Sequence, residues 1–184
     1  MFKTLILFTV FGLSLGANAS VGNLQRFYEV MPGALYRGGT TEGVGRAAMK
    51  ESSLKALCES GFNQAYFLYG KPSKPTVRCN AGEIRYSQKN WKKPQPILED
   101  IYNNIQRNSG PVYVHCWYGV HASGYVSAVA LRQFCDYSGE RAVEYWKSYI
   151  APSLQYKDVQ TLIRNFKPDS RLSLSESQKS KYCP

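Results

Sequence analysis

An imidazole and a thiol stand side by side at His115-Cys116, followed by Trp117, Tyr118, Gly119, Val120, His121, Ala122, Ser123 and Gly124. The apolar run 111–114 before them reads as a short buried strand. The stretch 123–135 after them reads as a helix, with Val126, Val129, Ala130 and Phe134 spaced to face a core. Strand, loop and helix in that order make a cradle whose backbone N–H groups converge at a helix N-terminus, which suits an anion. Cys116 at that place is expected to be acidified by the positive helix end and to act as a thiolate nucleophile. Gly119 permits a backbone conformation that a Cβ disfavours. Ser123 is placed to hydrogen-bond the sulfur and help it leave from a covalent intermediate, and His115 is expected to orient the loop rather than act as a base. Trp117 and Tyr118 either stack on a ring-bearing ligand or fill the loop.

This loop resembles that of the atypical dual-specificity phosphatases of the cysteine-dependent protein tyrosine phosphatase superfamily. Their pattern is His-Cys, five residues, Arg, then Ser or Thr. The likeness is strongest to a bacterial, fungal and plant branch reading His-Cys-x-x-Gly-x-His-Arg-Thr-Gly, which includes inositol pyrophosphate phosphatases. It extends over most of the chain. Leu35-Tyr36-Arg37-Gly38-Gly39 resembles the family's Leu-Tyr-Arg-Ser-Gly, and 54–68 its helix-turn-strand unit. The segment 97–107 resembles the helix before the loop strand, and 138–149 the helix after the loop. The resemblance implies an α/β fold with a central, mostly parallel sheet flanked by helices. It implies Cys116, Ser123 and His115 as the catalytic set, and Trp117, Tyr118, Gly119, Val120, His121, Ala122 and Arg37 around the phosphate, with no metal and no cofactor.

The chain departs from that pattern twice. Ala122 stands where the loop Arg clamps phosphate oxygens in a fork, and the loss of one preorganised donor alone costs on the order of 10²–10³ in rate. The family's general acid is in many members an Asp about thirty residues before the Cys, but 86–94 holds no carboxylate. Glu83 lies nearby with nothing in the sequence to position it. His121, if protonated, and Arg37 are the candidates to replace the missing Arg. The bland readings are a packed or capping His and a surface Arg.

The N-terminus resembles a leader: basic at Lys3, apolar over 4–16, and small-x-small at Ala17-Asn18-Ala19. A signal peptide over 1–19 predicts export, to a bacterial periplasm or outside the cell, with no transmembrane segment in the mature chain. In an oxidising compartment five Cys leave at least one unpaired. With Cys116 free, the other four pair in three ways. Cys58 with Cys79 would flank one strand and its loop, and Cys135 with Cys183 would pin the tail to the end of the loop helix. Free thiols throughout are the further alternative.

Residues 20–170 fit one phosphatase-like domain. Helices are expected over 47–60 and 96–108, strands near 64–69 and 83–87, and Ser138 as a helix N-cap. The Ser- and Lys-rich tail 171–184 reads as weakly ordered unless Cys183 tethers it. The net charge of +10 and the cluster Lys71, Lys74, Arg78, Arg85, Lys89, Lys92 and Lys93 suit an anionic or phosphorylated small molecule or protein. No nucleic-acid motif is present, and the oligomeric state is not encoded in any pattern. Two functions follow: a pseudophosphatase that binds an anionic ligand with little or no turnover, and an active divergent phosphatase working through a Cys116 phosphocysteine. A thiol-based sulfurtransferase is a distant third.

Overall fold

The computed structural model describes residues 21–72, 74–151 and 156–184, and the leader reading over 1–19 lies outside them. Among the described residues the strands are β1 (Tyr28–Met31), β2 (Leu35–Gly38), β3 (Gln64–Phe67), β4 (Thr76–Cys79), β5 (Gly82–Gln88) and β6 (Val112–His115). The helices are α1 (Glu51–Glu59), α2 (Gln95–Arg107), α3 (Ala122–Phe134), α4 (Gly139–Lys147), α5 (Lys157–Asn165) and α6 (Glu176–Tyr182). The six strands form one sheet in the order β1-β2-β6-β3-β5-β4. Its four central strands are parallel, and β1 and β4 close the edges antiparallel. The fold is the mostly parallel α/β sheet that the resemblance implies.

Period-two alternation assigns the two faces of the sheet. Val112, Val114, Tyr66 and Leu68 point into a large core shared with Ile97, Leu98 and Ile101 of α2 and with the apolar residues of α3 to α6. Tyr113, Ala65, Phe67, Ile84 and Tyr86 point into a second core under Leu54 and Leu57 of α1. Helix α3 is buried along nearly its whole length, as a helix covered by sheet on one side and by helices on the other must be. Parallel register sets Gly38, Phe67, Gln88 and His115 at one end of the sheet, the carboxyl end, where open α/β sheets build their sites.

Strands β1, β2 and β4 escaped the sequence reading. Only Val77 of β4 is buried, so its sequence carries no alternation to detect. Helix α1 begins at Glu51 rather than 47 because Lys50 is extended, at φ −67° and ψ 151°, and stands as its N-cap. Met49 N–H donates to Tyr86 Oη and Lys50 N–H to Thr41 Oγ1, which ties that segment to the sheet side. Ser138 caps α4 by accepting the Arg141 N–H, as expected.

Disulfides join Cys58 to Cys79 and Cys135 to Cys183, and Cys116 is free and buried. Among the three pairings the sequence left open, the structure has this one. The tail is tethered and ordered: Ser175 opens α6 with a reciprocal capping box, and Tyr182 is buried. Among the described residues no helix is long and apolar enough to cross a membrane.

Candidate active site

Cys116 follows β6 directly, and the loop 117–121 returns the chain to α3. The loop rests on the Gly38-Gly39 turn that ends β2. Gly39 must lack a side chain, since a Cβ there would meet Trp117 O and Tyr118 C at 2.9 Å. Gly119 has φ +71°, and a Cβ on it would meet Gly39 N at 2.5 Å, so both the conformation and the contact require glycine. Three consecutive loop carbonyls are bound on this side. Thr40 N–H donates to Trp117 O at 3.1 Å, Arg26 Nη1 to Tyr118 O at 2.9 Å, and Arg37 Nη2 to Gly119 O at 2.7 Å.

A trans peptide sets its C=O and N–H in opposite directions, so the Tyr118 and Val120 amides point away from the donors that hold Trp117 O and Gly119 O. Among the described residues the N–H groups of Trp117, Tyr118, Val120 and His121 meet no acceptor. They join the orphan amides of the first turn of α3. Cys116 Sγ lies 3.5 Å from Ser123 Oγ, and Ser127 Oγ donates to Ser123 O from one turn below.

His115 is fully buried, stacked on Phe67 at 4.8 Å between ring centroids, and burial lowers its pKa to about 4. It is neutral at pH 7, and its partners assign the tautomer. Nδ1 donates to the Cys116 carbonyl at 3.1 Å, which leaves Nε2 to accept from Tyr86 Oη at 2.7 Å. Tyr86 Oη in turn receives the Met49 N–H. The chain of bonds orients the Cys116 peptide and leaves no ring nitrogen free for base chemistry.

A cavity of about 340 Å³ opens above the loop, lined by Arg46, Tyr69, Cys116, Trp117, Tyr118, Val120, His121 and Tyr156. It is chiefly aromatic. Tyr69 stacks on Trp117 with ring centroids 4.4 Å apart, and its hydroxyl lies 2.9 Å from His121 Nδ1. Burial, followed by the nearby Cys116 and Tyr156, raises Tyr69 to about 12. His121 is packed between Trp91 and Tyr156 and its pKa is lowered, chiefly by burial.

Several expected roles move. Ala122 is fully buried as the first residue of α3 and brings no polar atom to the loop. Arg37 does not line the cavity: it is fully buried behind the loop, with its guanidinium 4.5 Å from the Tyr149 ring centroid. Its Nη2 holds the Gly119 carbonyl, and its Nε and Nη1 have no partner. His121 is tied to Tyr69, and burial biases it toward its neutral form. Glu83 lines a different cavity with Arg85 and Arg107, five residues back along β5 from the carboxyl end, roughly 16 Å away. Among the described residues no carboxylate lines the Cys116 cavity.

Among the described residues none of the basic cluster lines the cavity, although Lys92 is near enough to lower the pKa of His121. Lys74 pairs with Glu51 and Lys89 with Asp100 at 3.1 Å, and Arg85 stands at the far end of the sheet. Trp91 carries Lys92 on its ring at 5.4 Å. The residues that sequence reasoning missed are Tyr69, Tyr156 and Arg46, which come from three separate loops. No local pattern marks them; only the fold brings them to the thiol. Among the described residues no cluster of ligating side chains suits a metal ion.

The sequence matches no protein-family model and no curated protein. Solved structures do match. A mouse protein assigned as a dual specificity phosphatase, solved with zinc tungstate, aligns at TM-score 0.54 and 17% identity, covering 89% of this chain and all (100%) of that one. The human tyrosine phosphatase-like serine/threonine/tyrosine-interacting protein aligns at 0.53 and 16%, covering 73% and 93%. TpbA of P. aeruginosa aligns at 0.53 and 13%, covering 80% and 92%. The fold of this chain is that of the dual-specificity phosphatases.

Proposed function

We propose that this is an exported, phosphatase-like binding protein that holds a phosphorylated or other anionic ligand over Cys116 with little or no turnover. The carrying observation is the loop itself: three of its carbonyls are bound, four of its amides meet no acceptor among the described residues, and the thiol lies beside Ser123 at the start of α3. That arrangement suits a tetrahedral oxyanion. Turnover needs two further groups, a guanidinium in the loop and an acid for the leaving group. Ala122 supplies neither, and among the described residues no carboxylate lines the cavity, although Asp158 is near enough to act on His121. Two disulfides beside a free, buried Cys116 support the reading of residues 1–19 as an export signal.

A second reading keeps the enzyme. Cys116 Sγ within 3.5 Å of Ser123 Oγ preserves the nucleophile and the group that would help it leave. Hydrolysis of an aryl phosphate, whose leaving group needs no protonation, separates the two. Wild type, Cys116→Ser and Ala122→Arg are compared at pH 7. The binding reading expects a silent wild type and a gain in Ala122→Arg. Turnover by wild type that Cys116→Ser abolishes would make the protein a divergent phosphatase.

A further inference from the structure

The cavity over Cys116 is built for an anion, yet the three positions from which sequence reasoning would draw a cation give it none. Ala122 is apolar, His121 is biased by burial toward its neutral form and tied to Tyr69, and Arg37 is fully buried with its bond made to Gly119 O. The lining nevertheless contains one permanently charged group among the described residues, Arg46. It comes from the segment between β2 and α1. Its guanidinium carbon stands 5.2 Å from the ring centroid of Trp117, the residue directly after the nucleophile. Trp117 is itself seated on Tyr69, and Tyr69 is bonded to His121. Among the described residues Arg46 has no carboxylate partner, and its side chain is free to turn its donors toward the cavity.

The geometry points to Arg46 as the anion-holding residue of this pocket, supplying from outside the loop the guanidinium that the loop lacks, with Trp117 as its platform. This inference rests on the binding reading of the site and assigns the residue that makes it work. An Arg over an indole face is attracted to the ring while its N–H edge stays available. A large ring at 117 thereby gains a purpose that filling the loop does not provide. The ligand class follows: a tetrahedral oxyanion seated on the loop amides, with one side open to the Arg46 fork and the surrounding rings.

The experiment is calorimetric titration of the purified, disulfide-bonded protein with sodium tungstate at pH 7. Wild type is compared with Arg46→Ala, Arg46→Lys, Trp117→Leu and, as a charge-matched control, Arg78→Ala on the exposed edge strand β4. Loss of a charge-assisted hydrogen bond predicts about tenfold weaker binding, or more, for Arg46→Ala. Arg46→Lys should recover part of it, Trp117→Leu should weaken it less, and Arg78→Ala should leave it unchanged. In an Ala122→Arg background, removing Arg46 should cost less than in wild type, because the two guanidinium groups then serve one anion. If wild type binds and Arg46→Ala binds equally well, Arg46 has no such role, while the binding reading stands. If wild type gives no heat of binding, the binding reading falls and the inference falls with it.

Discussion

Replacing Arg37 by Met should leave the fold about as stable as before while loosening the loop. On the favourable side Arg37 makes one charge-assisted hydrogen bond, Nη2 to Gly119 O at 2.7 Å, worth about 1.5–3 kcal/mol. It also lies 4.5 Å from the Tyr149 ring centroid, worth about 2 kcal/mol when desolvated. On the other side stand Nε and Nη1, buried without partners, at about 1–3 kcal/mol each. Tyr145 Oη lies near enough to feel the guanidinium, but it also lacks a partner of proper geometry. The two sides each come to about 4 kcal/mol, before the cost of stripping water from the cation. Truncating a buried ion usually costs about 3–5 kcal/mol because its partner is left charged and alone; here no carboxylate is left behind. Met has the unbranched length to fill the space. Urea unfolding at pH 7 with disulfides intact should therefore change by less than about 1 kcal/mol. Tungstate affinity should fall, since the Gly119 carbonyl loses its brace. A loss above about 3 kcal/mol would refute the reasoning and show that the guanidinium is net stabilising.

Other expectations follow from the same contacts. Gly119→Ala places a Cβ against Gly39 N at a positive φ; it should abolish tungstate binding and cost about 2 kcal/mol or more in urea unfolding. His115 has a folded pKa of about 4 against an ordinary 6.5, so the unfolded chain binds its proton first. Stability should be full above about pH 6.5 and decline as pH falls toward 4, by about 2 kcal/mol at pH 5. His121, lowered for the same reason, adds to that slope, and a flat unfolding series from pH 7 to 5 would contradict both. Breaking Cys135–Cys183, which are 48 residues apart, should cost about 4 kcal/mol by loop-closure entropy, measured on the double Ser variant. Tyr86→Phe removes the hydroxyl between Met49 N–H and His115 Nε2 and should lower Tm by about 3–10 °C.

The parts of the chain legible in sequence are those whose physics is local. An apolar run, a Gly-bearing loop and a helical apolar spacing marked β6, the cradle and α3 without any partner in view. The Ser138 cap was legible for the same reason, whereas the disulfide pairing was one of three the sequence left open. What sequence could not show depends on which segments meet. Arg37 alternates to the side of the sheet beneath the loop, so its charge is directed at Gly119 O and not into the cavity. The basic residues of 71–93 are dispersed by register: Arg85 pairs across from Gln64 at the far end of the strands, and Lys89 turns onto Asp100. Arg46 sits in a segment with no regular structure and enters the site only because the Gly38-Gly39 turn carries the following chain past Trp117. Strand β4 has a single buried side chain and forms because β5 offers it an edge.

The most direct test of the account is one titration of wild-type protein with an aryl phosphate, followed at once for heat of binding and for released inorganic phosphate. Saturable binding with phosphate release no faster than in a protein-free control is the result predicted. Sustained release, or no binding at all, would contradict it.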